Sequence, residues 1–364
     1  MSILFLPTDR VGLMNYQPDI PHYFKILNHM LKQNIEIEWH VNGLHFERSQ
    51  LWPEGHYYQC GYSFTDTSPI RELLQSEGAI VDIVESVPPG LPLRLQKIAF
   101  YVGLGTDIWC YNELRNNILA WADFELTDLD DQDIRNGKLR EFDLLIVPGS
   151  PDAGECYYRG LGERGYDAIR SFIAEGGRYL GVCGGAYFPL SAIDKKTNPY
   201  WLNIVNATDD QDLDYWRTGA GLARLKIVDP YHPTMAGLAA GSVSTIDVLY
   251  WEGPIIKITG PNIHPILTFK DLCYCALPEL LPVHDLKDNK KAHECLYQWS
   301  NRLTPQRWQS IVQGNSAYVE ANYYKGRLIL CSPHPEYGNH GNMPYKDSIS
   351  FLMIYNALHY LSVS

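Results

Sequence analysis

The chain has 364 residues, 45% hydrophobic and 20% charged, which is enough apolar sequence for one large domain or two. A net charge of −12 argues against a nucleic-acid surface, because phosphate binding needs clustered Lys and Arg. The densest basic run, Lys287 to Lys291, reads as a solvated loop, and so does the acidic run Asp128 to Asp133.

No run approaches the roughly 18 apolar residues of a membrane span. Met1 to Pro7 lacks the basic start of a signal peptide. Eight unevenly spaced cysteines make no disulfide framework. The expectation is a cytoplasmic protein with reduced thiols, no membrane partner and no nucleic-acid partner.

In chain order, Ile3–Leu6 reads as a short strand, 21–33 as an amphipathic helix and 35–41 as a half-buried strand. Residues 42–68 have no clear period. A helix over 68–77 and a strand over 79–84 complete an α/β extension of 1–95. It is either a small domain of its own or extra strands on the main sheet. Pro88-Pro89-Gly90-Leu91-Pro92 is the best linker in the chain. Beyond it the rhythm is regular: strands at 97–102, 124–126 and 142–147 alternate with helices at 109–121 and 166–175, then a strand ends at Cys183. Central strands that are apolar throughout predict a parallel sheet covered on both faces, with ligands at the carboxyl ends of its strands. Residues 194–316 break the rhythm with strands near 222–228, 243–250 and 266–269, a long insertion within residues 96–364. A hairpin across Lys325-Gly326 and an amphipathic helix over 347–361 close the chain.

Two distant stretches carry the chemistry. Gly181-Val182-Cys183-Gly184-Gly185 is a strand running into a tight turn and a helix-compatible run to Ile193, the layout of a nucleophile elbow with sulfur for oxygen. A helix N-terminus aimed at the sulfur would favour thiolate. Downstream, the strand Arg327 to Cys331 leads to His334-Pro335-Glu336. On extended chain, i and i+2 share a face, so Glu336 can orient His334 and leave its other nitrogen for a thiol. Cys183, His334 and Glu336 are the candidate nucleophile, base and orienting carboxylate. The plain alternative is a small buried cysteine at a crowded turn.

These motifs resemble the class I glutamine amidotransferase-like superfamily. Together with Tyr101-Val102-Gly103-Leu104-Gly105, Val147-Pro148-Gly149-Ser150 and Leu249-Tyr250-Trp251-Glu252-Gly253-Pro254, they are most similar to the N-terminal domain of biotin-protein ligases. The resemblance covers roughly residues 96–364. It implies a flavodoxin-like fold and a Cys-dependent amidase, hydrolase or acyl transferase acting on a small-molecule or peptide-like amide. It also implies no cofactor. The amide of Gly149 or Ser150, together with that of Gly184, becomes the oxyanion hole, and Tyr187, Tyr250 and Glu252 fall on the substrate side. Tyr187 stands where glutamine-using members carry a glutamine. No biotinyl-adenylate loop is present, so biotin ligation is not expected. A regulatory module that binds without reacting is the competing function. Cys273, Cys275, His284, His293 and Cys295 offer zinc-type ligands without the usual C-x₂₋₄-C spacing, so no metal is expected. Gly103-x-Gly105 lacks the third glycine of a dinucleotide loop.

Overall fold

A computed structural model describes residues 2–8, 19–193, 196–209, 220–239, 243–276, 305–338, 346 and 348–363. Its centre is five parallel strands: β1 (Ile98–Tyr101), β2 (Leu126–Leu129), β3 (Leu144–Val147), β4 (Arg178–Val182) and β5 (Gly326–Cys331). Their spatial order is β2-β1-β3-β4-β5, the doubly wound flavodoxin-like order. Strand alternation sends Phe100, Ile146, Leu180 and Ile329 to one face and Tyr101, Val147, Tyr179 and Leu330 to the other. The helix Glu155–Ala174, kinked at Gly162, covers the second face through Leu161, Tyr166, Ile169 and Ile173. The first face is covered by the segment Asn112–Leu119 and the C-terminal helix Phe351–Ser362. The parallel core covered on both faces is therefore as expected.

Beyond β5 the sheet turns antiparallel. Ser316–Tyr323 pairs with β5 and links it to Ile256–Ile258 and to the long strand Ile263–Ala276. That strand pairs with Ala220–Ile227, which in turn pairs with Thr245–Trp251. The region that breaks the α/β rhythm is thus an antiparallel wing, and Trp251 at its edge reaches back over the parallel core.

The N-terminal residues form a second sheet. Asp82–Val84, Ile3–Pro7, Gly61–Thr65, Glu38–His40 and Leu91–Pro92 lie side by side, all antiparallel. Leu91–Pro92, within the proline-rich stretch, is itself an edge strand here. The helix Ile20–Lys32 packs this sheet against the C-terminal helix: Phe24 lies 4.6 Å from Tyr355, ring to ring, and Asn28 donates to the Ala122 carbonyl at 2.8 Å. The C-terminal helix is consequently buried almost all round, not on one side as an amphipathic pattern predicts. Tyr62 and His359 meet across this contact at 3.0 Å.

Candidate functional site

Cys183 follows β4 with φ 50° and ψ −106°, a region that residues with a Cβ seldom occupy. Its N–H donates to the Cys331 carbonyl at 2.8 Å, which ties the turn to the end of β5. The flanking glycines are steric necessities. A Cβ on Gly181 would lie 2.2 Å from the Gly185 oxygen, and one on Gly185 would lie 2.0 Å from the Val147 oxygen. The helix that follows is a single turn, Gly184–Tyr187, and the chain then re-enters a strand, Leu190–Ile193. The expected helix to Ile193 is absent because Pro189 and the crowded glycines end it. One turn carries little macrodipole, so that source of thiolate stabilisation drops out.

His334 and Glu336 sit just past β5, both buried. His334 Nδ1 lies 2.7 Å from Glu336 Oε1; the expected pair forms, but Pro335–Tyr337 is a 3-10 turn and not extended chain. His334 Nε2 lies 3.3 Å from the Trp251 carbonyl oxygen, and Cys183 Sγ donates to that same oxygen at 3.5 Å. Sulfur and imidazole therefore converge on one carbonyl. Both ring nitrogens face oxygens that can only accept, an arrangement that fits a doubly protonated ring. Burial opposes that charge, but Cys183, Glu336 and Cys110 around the ring outweigh it and raise its pKa well above the usual histidine value.

The Trp251 carbonyl is fixed by the turn that follows it. Glu252 has φ 56°, and a Cβ on Gly253 would lie 1.8 Å from the Ser332 oxygen. The His334 N–H donates to the Leu249 carbonyl at 2.8 Å, so the wing and the histidine segment are stitched together. Tyr187 donates to the Glu252 carbonyl and Tyr250 to the Gly253 carbonyl, each at 2.9 Å. Both phenols are buried and hold this turn in place. Their hydroxyls face backbone carbonyls of this chain.

Gly149 and Ser150 follow β3, beside the cysteine. A Cβ on Gly184 would lie 2.4 Å from the Ser150 nitrogen, so the Gly184 and Ser150 amides are near neighbours. Among the described residues neither N–H is taken up by a protein acceptor.

One residue of the cluster was not anticipated. Cys110 lies in the helical turn Ile108–Tyr111 after β1, and the Asp107 side chain caps that turn. Its Sγ is 3.9 Å from His334 Nδ1 and 3.9 Å from the Tyr337 hydroxyl. Burial raises the Cys110 thiol pKa, against a lowering pull from His334. Cys110 therefore flanks the ring on the carboxylate side and Cys183 on the other. The available signal was topological, since a residue just after β1 lies at the point where the strand order reverses.

Other candidates resolve into structure. Asp130 caps the helix Asp131–Arg135, and Asp131 accepts from Tyr101 at 2.6 Å and from the Leu104 amide at 2.9 Å. That carboxylate holds the Gly103–Gly105 turn. Cys273 is exposed, with its thiol 3.8 Å from Asp247; His284, His293 and Cys295 lie outside the described residues. Among the described residues no helix is long and apolar enough to cross a membrane.

Residues 109–220 match the family described as biotin-protein ligase, N terminal. The match is confined to that segment, less than half of the chain. It contains Cys110, Gly149, Ser150, Cys183, Gly184 and Tyr187, but stops short of His334 and Glu336. A biotin–protein ligase of Schizosaccharomyces pombe is 39% identical over 62 residues, which is 17% of this chain and 10% of that protein. The chain therefore spans only a small part of that ligase. Among solved structures, PurLQS from Thermotoga maritima superposes at a TM-score of 0.43 with 15% identity, covering 73% of this chain and 98% of that one. A glutamine amidotransferase from the same organism gives 0.43 with 10% identity, covering 74% and 100%.

Proposed function

We propose that Cys183, His334 and Glu336 form a nucleophile, base and orienting carboxylate that cleave or transfer at an amide carbonyl of a small molecule or peptide-like substrate. The observation that carries this reading is the pair of contacts on Trp251: the Cys183 sulfur and His334 Nε2 address one carbonyl oxygen, while Nδ1 is held by a buried carboxylate. With a substrate carbonyl in the site and the Trp251 oxygen displaced, the Cys183 proton already resides on the doubly protonated His334 ring, and the sulfur bonds as thiolate to the carbonyl carbon. The imidazolium then protonates the departing amine as the C–N bond breaks. Water or another acceptor, deprotonated by the same ring, releases the acyl group and regenerates the thiol. The developing oxyanion is received by the Ser150 and Gly184 amides, with Gly149 keeping the loop close; their adjacency supports this assignment. Tyr187, Tyr250 and Glu252 shape the substrate side by fixing the 251–253 turn.

A second reading is a binding module on the same fold that performs no reaction. The shared carbonyl favours it, because the turn that supplies that oxygen is packed against Ser332 and tied down by two phenols. Alkylation kinetics separate the two. A relay cysteine is modified by iodoacetamide at neutral pH well ahead of the other thiols, and loses that advantage in His334→Ala. A Cys183 no more reactive than buried Cys331 would leave only the binding module.

A further inference from the structure

The Nδ1 side of His334 is crowded in a way the relay does not require. Cys110 Sγ, a His334 ring nitrogen and a Glu336 oxygen all lie within 4.8 Å of one another, and all three residues are buried. Glu336 uses Oε1 for His334, while Oε2 is buried with no hydrogen-bond partner. A buried carboxylate oxygen without a partner is costly and calls for an occupant. A thiolate, an imidazole and a carboxylate are the donor types zinc takes, and three protein ligands with one open position is a familiar zinc set. Zinc bonds of roughly 2.3 Å to sulfur and 2.0 Å to nitrogen or oxygen put tetrahedral donors about 3.5 Å apart. The 3.9 Å from Cys110 Sγ to His334 Nδ1 is close to that, and the 2.7 Å from Nδ1 to Oε1 needs only to open slightly once its proton leaves.

We propose that Cys110, His334 and Glu336 are a binding site for a thiophilic divalent cation, zinc by its chemistry, and that its occupation silences Cys183. The silencing half rests on the relay proposed above; the binding half does not. On binding, the Cys110 thiol loses its proton and the proton between Nδ1 and Glu336 is displaced, so two protons go to solvent and nothing is oxidised or reduced. A neutral imidazole ligated through Nδ1 keeps its hydrogen on Nε2, where it donates to the Trp251 carbonyl. Such a ring has lost the positive charge that holds the Cys183 thiolate, and it has no free nitrogen to take the cysteine's proton. The Tyr337 hydroxyl lies 3.9 Å from Cys110 Sγ.

The test is zinc chloride binding by equilibrium dialysis on the full chain, with Cys110→Ser, Glu336→Gln, Cys183→Ser and a Cys273→Ser/Cys275→Ser control. One zinc per chain is expected for the wild type, for Cys183→Ser and for the double control. Affinity should fall by at least about 10-fold in Cys110→Ser and in Glu336→Gln. Cobalt loaded into the wild type should show a sulfur-to-metal charge-transfer band that is missing in Cys110→Ser, a readout that needs no activity. Zinc should also slow alkylation of Cys183 in the wild type and leave it unchanged in Cys110→Ser. Failure to bind zinc at micromolar concentration, or wild-type affinity in a folded Cys110→Ser, overturns the site. Binding through Cys110 with no effect on alkylation overturns the silencing. A Cys183 that is inert even without zinc removes the relay and leaves the metal site standing.

Discussion

Cys183 and His334 meet through a third group: sulfur and Nε2 lie 3.5 and 3.3 Å from the carbonyl oxygen of Trp251. In the proposed relay, that oxygen stands in for a reacting carbonyl. This predicts a graded response to substitution. Loss of the base in His334→Ala should slow Cys183 alkylation on the order of 10²-fold. Loss of orientation in Glu336→Gln should slow it less, because the ring remains. Stopped-flow alkylation with peptide mapping measures both. Equal rates in all three proteins would mean that His334 does not act on the sulfur.

The turn that carries the carbonyl is set by Gly253, whose missing Cβ lets the backbone pass the Ser332 oxygen. Gly253→Ala cannot fit without moving one of the two strands. It should cost roughly 1–3 kcal/mol in denaturant unfolding, the range for overpacking. Because Ser332 precedes Pro333 and His334, the same change should also alter the Cys183 alkylation rate. A fully stable variant with unaltered alkylation would show that the turn does not position the histidine.

Period and punctuation made the parallel core legible. Runs such as Leu144–Val147 are apolar on both faces only where helices cover both. The elbow glycines and the His334–Glu336 pairing were equally local, although the 2.7 Å contact forms on a 3-10 turn, Pro335–Tyr337, and not on the extended chain expected. Cys110 was not legible, because its meaning depends on β1 and β5 lying in one sheet more than two hundred residues apart in sequence. Nor was the Trp251 carbonyl, since a backbone oxygen has no letter in a sequence. The N-terminal sheet escaped in part, for another reason. Ile3–Pro7, Glu38–His40 and Asp82–Val84 fall on expected strands, but Gly61–Thr65 and Leu91–Pro92, of five and two residues, are too short to show a period.

Tyr187 stands where the glutamine-using amidotransferase motif that the elbow resembles has a glutamine. Its phenol is buried, donates to the Glu252 carbonyl at 2.9 Å and packs its ring 5.7 Å from that of Trp201. A carboxamide there could both donate to and accept from a free amino acid's polar groups; a phenol whose proton is given to backbone has only an acceptor left. Free glutamine should therefore be a poor substrate or none in an ammonia-release assay. Tyr187→Phe should lose about 1 kcal/mol of stability with the hydrogen bond. Efficient glutaminase activity in the wild type would remove Tyr187 from any part in selectivity.

His359 gives the contact between the two sheets a pH dependence. It is buried in the C-terminal helix; Nδ1 lies 3.0 Å from the Tyr62 hydroxyl and Nε2 has no partner. Burial lowers its pKa from 6.5 to about 3. Since the folded pKa lies below the unfolded one, the unfolded chain takes up the proton first as pH falls. The stabilisation is complete above about pH 6.5 and is lost progressively towards pH 3, on the order of 5 kcal/mol in all. Protonation would place a charge on Nε2 with no acceptor, at the contact that Phe24 and Tyr355 build. Urea unfolding at pH 7, 5 and 4 should show the wild type losing stability with falling pH. His359→Gln, which keeps a partner for Tyr62 and cannot titrate, should lose visibly less over that interval. Parallel losses in the two proteins would assign the acid sensitivity to other groups and leave His359 as a packing residue alone.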